Sequence, residues 1–487
     1  MRSPFDRIAR ARQICLSLLA LAAVASAPPA GAQRLDALAP DVRKYLKAST
    51  STVILEHVEI IDGTGAAPNA DRNIVIEGGR IGAITPGADV SPRDGATIID
   101  LRGHSVMPGI VGMHDHMFYT AAGGVGVTMS FTGPRLYLAS GVTSVRTTGT
   151  RSPYADINLR AAIDSGLVPG PRIHVTTPYL TGPEGGGSMS IAATPEQARR
   201  FVAYWAAEGA TWVKFYTDIS RAEMKAAIDE AHKQGIKATG HLCSVTFQEA
   251  IDLHIDDFAH GVLTASDFIA GKEPDKCPPN VYKQLDSLVS GDSPLATSLI
   301  KSMISHKVSM TTTMAIYEAL SPGRPVQDER SLELMTPVVR AAYVKNRAFI
   351  DTMPGYTFTK DGFARALAFD KAFYAAGGIM ASGVDPTGNG GALPGFGDQR
   401  GYELLRESGL NAEQAVQVTT YNGARVLGVE KNLGSVEKGK IADLVLLKGD
   451  LVADPSVIRN VVTVYKDGVS YDPAKLIDAV RGRVGID

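Results

Sequence analysis

The chain has 487 residues, 51 of them acidic and 49 basic, so its formal net charge at pH 7 is −2. This balance gives no electrostatic attraction to nucleic acid or to an anionic membrane, and it excludes proteins that depend on a strongly basic surface. The length suffices for one large enzyme domain and a smaller one.

The first residues predict a secretory signal peptide over residues 1–32. Four arginines between positions 2 and 12 precede an apolar run over residues 14–27, and Ala30-Gly31-Ala32 then provides an A-x-A cleavage site. The alternative is a membrane anchor, but about 14 apolar residues fall short of the ~20 that a spanning helix needs. No later segment has an apolar run of spanning length, so we expect a mature protein in the periplasm or outside the cell, with no membrane association.

Cleavage removes Cys15 and leaves two cysteines, Cys243 and Cys277. An oxidising compartment permits a disulfide between them, whereas a single pair is too few for a disulfide scaffold. The sequence leaves open whether the two cysteines are bonded or free.

Short alternating strands are predicted at both ends of the chain. Between residues 52 and 101 they are separated by turn compositions such as Asp62-Gly63 and Glu77-Gly78-Gly79. The same pattern returns only over residues 443–447 and 461–465. We therefore predict a small β-sandwich domain composed of residues 33–108 and 429–487, with the middle of the chain inserted between them.

The middle of the chain, residues 109–428, alternates short apolar strands with helical stretches. Eight strands in such alternation favour a (β/α)8 TIM barrel, an α/β fold, over a three-layer sandwich. A helix is predicted over residues 220–234, because Ser220 is a good N-cap, Glu223 follows three residues later and Gly235 ends it. The predicted barrel strands cover residues 110–113, 143–146, 172–175, 212–215, 236–239, 257–259, 308–311 and 379–382.

Two segments of the middle region, residues 265–300 and 320–365, are longer than ordinary barrel loops. They are interpreted either as a lid over the site or as surface decoration. The sequence does not separate these two roles.

The strongest signal for chemistry is His114-Asp115-His116, at the end of the first predicted barrel strand. Alternate side chains of a strand share a face, so His114 and His116 point together into the barrel at its C-terminal end. Two imidazoles in that position suit one divalent metal ion. An H-x-H pair alone is weak evidence for a metal site.

Four further candidates occur at the ends of other predicted strands. Lys214 is a cation that points into an apolar strand end, where its presence needs a reason. His241, His260 and Asp385 each follow a later strand. Taken singly, each has an ordinary alternative: the lysine reaches solvent, the histidines are hydrogen-bonded core residues, and the aspartate caps a helix. Their occurrence together, in barrel order, favours one shared site.

At these positions the sequence resembles the amidohydrolase superfamily, in particular its imidazolonepropionase-like and Xaa-Pro dipeptidase-like branch. The resemblance covers nearly the whole mature chain, and its most specific stretches are residues 108–116, 209–214, 239–241, 258–261, 381–385, 420–428 and 434–445. It implies a centre with two divalent metal ions. The implied ligands are His114 and His116 for the buried ion, His241 and His260 for the more exposed ion, Asp385 for the first ion, and a carbamylated Lys214 that bridges both.

The chemistry of lysine agrees with this implied arrangement. A protonated amine beside two cations is disfavoured, so the pKa of Lys214 falls, and the neutral amine can react with carbon dioxide to form an anionic carbamate. Two metals that share a water lower its pKa and polarise the substrate carbonyl. Asp385 then serves as general base and, in turn, as general acid toward the leaving nitrogen. Zinc is the default metal for an imidazole-rich site, with other divalent ions as alternatives.

Lys214 also distinguishes branches within the superfamily. Imidazolonepropionases and cytosine-type deaminases resemble this chain, but they use one metal and usually lack a bridging lysine. We therefore predict a two-metal hydrolase that cleaves a carbon–nitrogen bond in a small dipeptide-like or N-acyl amino acid substrate. The alternatives are a mononuclear deaminase or cyclic-amide hydrolase, and a catalytically inactive relative, against which the six intact positions argue. The physiological substrate and the oligomeric state, a homo-oligomer included, stay open.

Three weaker candidates for substrate contacts lie near these positions. Tyr119 and Tyr216 are predicted to hydrogen-bond the substrate, and packing is the alternative for each. Arg400 is predicted to hold a substrate carboxylate. The alternative for Arg400 is a structural ion pair with Asp398 or another carboxylate.

Overall fold

The computed structural model describes residues 35–485 except 49, 51, 90–94, 122, 125, 187–188, 325–327 and 354–356. The predicted signal peptide over residues 1–32 lies outside the described residues. Within the described ranges, no helix combines the length and the apolar character needed to cross a membrane.

Eight parallel strands form a nearly closed barrel in the middle of the chain, and their spatial order follows the sequence. Where the last strand meets the first, the backbone N–H of Asp385 donates to the carbonyl of His114 at 2.8 Å. Gly383 permits this approach, since a Cβ there would lie 2.3 Å from the backbone nitrogen of His114. The predicted TIM barrel is confirmed, with a strand at each of the eight predicted places. The strands are β6 (Ile110–Asp115), β9 (Val142–Thr147), β10 (Arg172–Thr181), β12 (Trp212–Phe215), β13 (Lys237–Gly240), β14 (Asp257–Ala259), β15 (Ser309–Thr312) and β16 (Met380–Ser382).

The two ends of the chain form one mixed sheet of eight strands. The C-terminal strand of residues 444–448 pairs antiparallel with the strand of residues 104–108, so that Val445 lies opposite Met107. The predicted small β domain built from both chain ends is therefore present. Its strands are β1 (Thr52–Ile60), β2 (Asn69–Glu77), β3 (Arg80–Pro86), β4 (Thr97–Asp100), β5 (His104–Pro108), β17 (Leu444–Lys448), β18 (Val461–Lys466) and β19 (Val469–Tyr471). Three short strands lie elsewhere: β7 (Phe118–Thr120), β8 (Gly126–Thr128) and β11 (Ser190–Ile191).

Helices connect the barrel strands and cover the outside of the barrel. Ser220 caps the helix after β12 by accepting a hydrogen bond from the N–H of Glu223, as the sequence predicts. The α-helices are α1 (Pro40–Arg43), α2 (Thr132–Ala139), α3 (Pro153–Asp164), α4 (Pro195–Ala207), α5 (Arg221–Lys233), α6 (Phe247–Asp252), α7 (Val281–Leu288), α8 (Pro294–Ser305), α9 (Met314–Leu320), α10 (Glu329–Leu332), α11 (Pro337–Thr352), α12 (Lys360–Ala375), α13 (Phe396–Glu407), α14 (Ala412–Thr419), α15 (Tyr421–Leu427) and α16 (Pro473–Val480). Short 3-10 helices cover Leu35–Ala37, Gly261–Thr264, Ser266–Phe268 and Pro455–Arg459.

The barrel interior contains a fully buried ion pair below the C-terminal strand ends. Arg146 on β9 lies 2.8 Å from Asp257 on β14, and both side chains are 0% exposed. The carboxylate of Asp257 also accepts hydrogen bonds from Thr239 at 2.9 Å and Ser309 at 2.8 Å. These partners offset the cost of removing two charges from water and tie four barrel strands together.

A disulfide joins Cys243, in the loop after β13, to Cys277, in the long segment of residues 265–300. The two Cα atoms are 5.0 Å apart and 34 residues separate them in sequence. Of the two states that the sequence leaves open, the structure has the bonded one.

Candidate metal centre

The structure brings together the six side chains that the sequence predicts as metal ligands. All of them line one cavity of about 500 Å³ at the C-terminal ends of the barrel strands. Five are buried and His241 is half-buried. This six-residue cluster consists of His114 and His116 at the end of β6, Lys214 on β12, His241 after β13, His260 after β14 and Asp385 after β16.

Asp385 lies at the centre of the cluster. Its carboxylate oxygens are 3.2 Å from His116 Nε2, 3.8 Å from His114 Nε2 and 3.6 Å from His260 Nδ1. Ligand atoms of His114, His260 and Asp385 lie within 4.8 Å of one another, a spacing that suits a metal ion. Burial raises the pKa of Asp385, but the hydrogen bonds and charge of its neighbours, His116 first, outweigh burial and hold that pKa below its usual range. The side chain is therefore an anion at neutral pH.

The histidines of the cluster are positioned by neighbouring rings and by backbone and hydroxyl groups. The His114 and His260 ring centroids are 4.2 Å apart, and those of His241 and His260 are 4.3 Å apart. The Nδ1 of His116 lies 2.9 Å from the Gly149 carbonyl oxygen, which turns the other ring nitrogen toward Asp385. Such outer partners fix ring orientation in metal sites.

Three of these imidazoles are held neutral. Burial, with the charge of Lys214 adding to it, lowers the pKa of His114 well below its usual value and that of His241 to about 3. Burial and the neighbouring His241 likewise lower the pKa of His260. Neutral imidazole is the form that binds a metal ion, so these rings are ready as ligands at neutral pH.

Lys214 is the most unusual member of the cluster. Its side chain is 0% exposed, and among the described residues its Nζ has no hydrogen-bond partner. Burial lowers the pKa of Lys214 to about 7, with the charge of Asp385 opposing and that of Arg146 adding to the effect. A buried polar group without a partner is costly, so this amine destabilises the fold unless a bound group satisfies it.

Two residues of the cluster have left-handed backbone conformations. The φ angle is 70° at His260 and 49° at Asp385. Residues other than glycine are uncommon in this region, and they concentrate at functional sites where surrounding structure enforces them. His260 directly follows β14 and Asp385 lies three residues after the end of β16, and both side chains line the cavity.

The rest of the cavity wall is mostly aromatic and aliphatic. Tyr216 lies on this wall, with its ring centroid 4.9 Å from that of His241, and its predicted hydrogen bond to a substrate stays a prediction. Most of the other wall residues were not predicted from the sequence, because several come from loops that carry no recognisable motif. Those residues are Phe118, Arg151, Tyr179, Met189, Tyr282, Ile316, Tyr317, Leu320, Thr357 and Phe358.

Two predicted substrate contacts are wrong. Tyr119 is 0% exposed, and its hydroxyl donates to the Gly390 carbonyl at 2.8 Å, so it packs behind the cavity wall. Arg400 lies on α13 and pairs with Glu318 and Glu403, both at 2.7 Å, outside the cavity. The helix turns this guanidinium toward α9 and not toward the barrel mouth, so the ion-pair alternative describes it.

A model of the amidohydrolase family matches residues 105–306 and 369–470. The first stretch contains the four histidines and the lysine of the cluster, and the second contains Asp385. The chain belongs to the amidohydrolase family. Its assignment explains why ligands from separate barrel strands meet at one end of the fold.

Solved structures similar to this amidohydrolase family member share its fold. A putative prolidase from Bifidobacterium longum is 24% identical with a TM-score of 0.64, over 88% of this chain and 99% of that one. A Xaa-Pro dipeptidase with bound methionine in its active site is 21% identical with a TM-score of 0.65, over 87% and 100%. A bottromycin amidohydrolase is 18% identical with a TM-score of 0.66, over 95% of each chain.

Curated relatives match over shorter stretches. A 5-methylthioadenosine/S-adenosylhomocysteine deaminase from Moorella thermoacetica is 37% identical over 90 residues, 17% of this chain and 21% of the relative. A 5'-deoxyadenosine deaminase from Methanobrevibacter smithii is 35% identical over 72 residues, 14% of this chain and 17% of the relative. The chain thus matches about a fifth of the length of these relatives.

Proposed function

We propose that this protein hydrolyses a carbon–nitrogen bond in a dipeptide-like or N-acyl amino acid substrate, using two divalent metal ions that are zinc by default. The observation that carries the proposal is the convergence of four imidazoles, one carboxylate and one buried lysine amine on a single cavity. The likeness in fold to a Xaa-Pro dipeptidase and a putative prolidase supports the choice of substrate class.

The donor set of the cluster fits two ions better than one. Six candidate ligands are more than one tetrahedral ion needs. The family resemblance divides them into His114, His116 and Asp385 for one ion and His241 and His260 for the other, while the ligand atoms of His260 also lie within 4.8 Å of those of His114 and Asp385. Lys214 lies on the strand between these groups, and its Nζ has no partner among the described residues. Its neutral amine can attack carbon dioxide, form an N–C bond and lose a proton, which yields a carbamate with two oxygen ligands.

When bound, the ions would lower the pKa of a water that they share and polarise the scissile carbonyl. Asp385, an anion at neutral pH, accepts the proton of the attacking water and then delivers it to the leaving nitrogen. The Thr387 hydroxyl donates to Asp385 Oδ1 at 2.9 Å and holds the carboxylate in place for both transfers.

Arg151 is proposed to orient the substrate. Among the described residues that line the cavity, it is the one charged side chain outside the six-residue cluster. Its guanidinium lies 5.0 Å from the centroid of the Phe118 ring, and the residue is exposed as well as lining the cavity. A substrate carboxylate is the natural partner for this cation. The aromatic wall formed by residues such as Tyr317 and Phe358 then accommodates an apolar acyl group or side chain.

Export is also proposed, through cleavage of residues 1–32. The disulfide between Cys243 and Cys277 supports an oxidising compartment, since such bonds are rare in the cytosol. N-terminal sequencing of the protein purified from its native cells tests the cleavage site.

The test of the activity uses zinc-loaded protein and pairs of substrates, each an N-acyl amino acid or dipeptide with a free carboxylate and its carboxamide counterpart. We expect hydrolysis that a chelator abolishes and zinc restores, with at least a tenfold preference for the free carboxylate. Arg151→Gln should remove most of that preference. Arg199→Gln is the control, since Arg199 is exposed on α4, and this variant should retain the preference for the free carboxylate. Absence of hydrolysis across the set, or preference for the carboxamides, contradicts the proposal.

A mononuclear deaminase or cyclic-amide hydrolase is the second candidate, favoured by the short matches to two deaminases. Metal analysis separates the two. Two ions per chain support the dipeptidase-like function, and one ion per chain with an unmodified Lys214 supports the alternative.

A further inference from the structure

Tyr282 reaches the six-residue cluster from outside the barrel. It belongs to the long segment of residues 265–300, yet its hydroxyl oxygen lies 2.5 Å from Nε2 of His241. The same side chain lines the cavity with Lys214 and Asp385. A phenol is a hydrogen-bond donor at neutral pH, so this position supplies a donor beside the six-residue cluster.

The chain that leads to Tyr282 is fastened to the barrel at several points, and we call residues 265–282 the strap. The Asp267 carboxylate accepts hydrogen bonds from the N–H groups of Phe247 and Gln248, at 2.7 and 3.0 Å, at the start of α6. Asp275 pairs with Arg221 through two hydrogen bonds of 2.9 and 3.1 Å. Both members of this pair are partly exposed, at 42% and 34%, so solvent weakens the tie.

The strongest fastening is the disulfide. Cys243 is two residues after His241, and Cys277 is five residues before Tyr282. Both partners of the Tyr282–His241 contact are therefore joined covalently through short pieces of chain. Without the bond, the contact would depend on closing a loop of 34 residues held by the Asp267 hydrogen bonds and the partly exposed Arg221–Asp275 pair, at a larger entropic cost.

We propose that Tyr282 contacts the substrate in this site, and that the Cys243–Cys277 disulfide is the element that positions it. The inference rests on the proposed function, because it assumes that the substrate reacts beside His241. His241 is one of the residues that would hold an ion, and the phenol beside it can donate a hydrogen bond to a substrate oxygen. Tyr282 is then a substrate-contacting residue, and the disulfide is a positioning element that acts through it.

The first test needs no substrate. Hydrogen–deuterium exchange is measured over the strap in the cobalt-loaded wild type, in Tyr282→Phe, and in the double variant Cys243→Ser/Cys277→Ser. We expect exchange in the strap to be at least tenfold faster in the double variant, and the cobalt absorption bands to change in Tyr282→Phe at unchanged cobalt content. Tyr154→Phe, which removes an exposed phenol on α3, is the matched control and should change neither. Unchanged exchange in the double variant, or unchanged cobalt bands in Tyr282→Phe, overturns the inference.

Reduction of the folded wild type replaces the double variant if that variant does not fold. A dithiol supplies two electrons and two protons, cleaves the S–S bond to two thiols and is itself oxidised to a disulfide. Strap exchange in the reduced protein should match the expectation for the double variant. Reduction without faster exchange overturns the inference.

The second test measures kcat/KM with a substrate found as described above. We expect Tyr282→Phe to lower kcat/KM by about 100- to 1,000-fold, as for loss of one donor to the reacting carbonyl. Loss of the disulfide should lower kcat/KM by a similar factor. Tyr282→Phe combined with loss of the disulfide should lower kcat/KM no further than either change alone. Factors that multiply would show that the bond acts elsewhere and would overturn the inference. If no substrate is found, the proposed function fails, while the cobalt and exchange measurements still decide the placement of Tyr282.

Discussion

Substitution of Lys214 by methionine separates the cost of this side chain to the fold from its contribution to the metal centre. Methionine fills a similar volume and carries no amine. Burial lowers the pKa of Lys214 from 10.5 to about 7. A tenfold change in proton affinity is worth about 1.4 kcal/mol, so burying this amine costs the folded chain about 5 kcal/mol at pH 7. The metal-free Lys214→Met variant is therefore expected to be more stable than the wild type at pH 7, by up to about 5 kcal/mol.

The lowered pKa of Lys214 also determines how the stability difference between the wild type and the variant changes with pH. The unfolded chain keeps the Lys214 proton up to about pH 10.5, whereas the folded chain releases it above about pH 7. Between these values the stability of the metal-free wild type gains about 1.4 kcal/mol per pH unit from this group, and the variant lacks that gain. The stability advantage of Lys214→Met should thus shrink as the pH rises toward 10.5.

The assay is urea unfolding of chelator-treated protein at pH 7, 8, 9 and 10, followed by tryptophan fluorescence. Lys225→Met is the control, since Lys225 is an exposed lysine on α5 that pairs with Asp229. The control should change stability little at any of these pH values. A Lys214→Met variant that is no more stable than the wild type at pH 7, or an advantage that does not shrink with pH, refutes the reasoning.

Three further predictions concern stability, all read from urea unfolding of metal-free protein. Acidification below pH 6.5 should destabilise the metal-free protein, because the imidazoles of His114, His241 and His260 have lowered pKa values in the folded chain, and each ring should cost about 1.4 kcal/mol per pH unit. An unchanged urea midpoint at pH 5 would contradict this. Asp257→Leu leaves the Arg146 guanidinium buried without its carboxylate and should lower the free energy of unfolding by about 3–5 kcal/mol. A decrease below about 1 kcal/mol would argue against the buried ion pair. Phe258→Ala removes a ring whose centroid is stacked 3.7 Å from that of Phe247, and it should lower the free energy of unfolding by about 3–5 kcal/mol. A small decrease would mean that the core rearranges to fill the cavity.

The barrel and the convergence of the six clustered side chains could be predicted because their signals are local and repeated. Each strand is a short apolar run, and each of the six residues lies at or just after a strand end, where parallel strands bring their termini to one face. Lys214 illustrates the strength of this reasoning, since a lysine in the apolar run of β12 has no ordinary role. The structure places its amine among the four histidines and fully buries it.

The cavity wall could not be predicted, because it is set by loops whose direction the sequence does not encode in any periodic pattern. Tyr282 and Phe358 come from the two long segments, residues 265–300 and 320–365, whose role the sequence leaves open. Both side chains line the cavity. Tyr119 and Arg400 show the opposite error. Each is near the site in sequence, but Tyr119 donates to a backbone carbonyl and Arg400 pairs with acidic residues on neighbouring helices.

The proposed function requires that the four histidines, Asp385 and a modified Lys214 together hold two metal ions. Anomalous scattering from crystals of the zinc-loaded protein tests it most directly. We expect two zinc peaks within ligand distance of the four imidazoles and Asp385, with density for a carboxyl group on Lys214 Nζ between them. A single zinc peak beside an unmodified lysine, or zinc bound away from these side chains, would contradict the account.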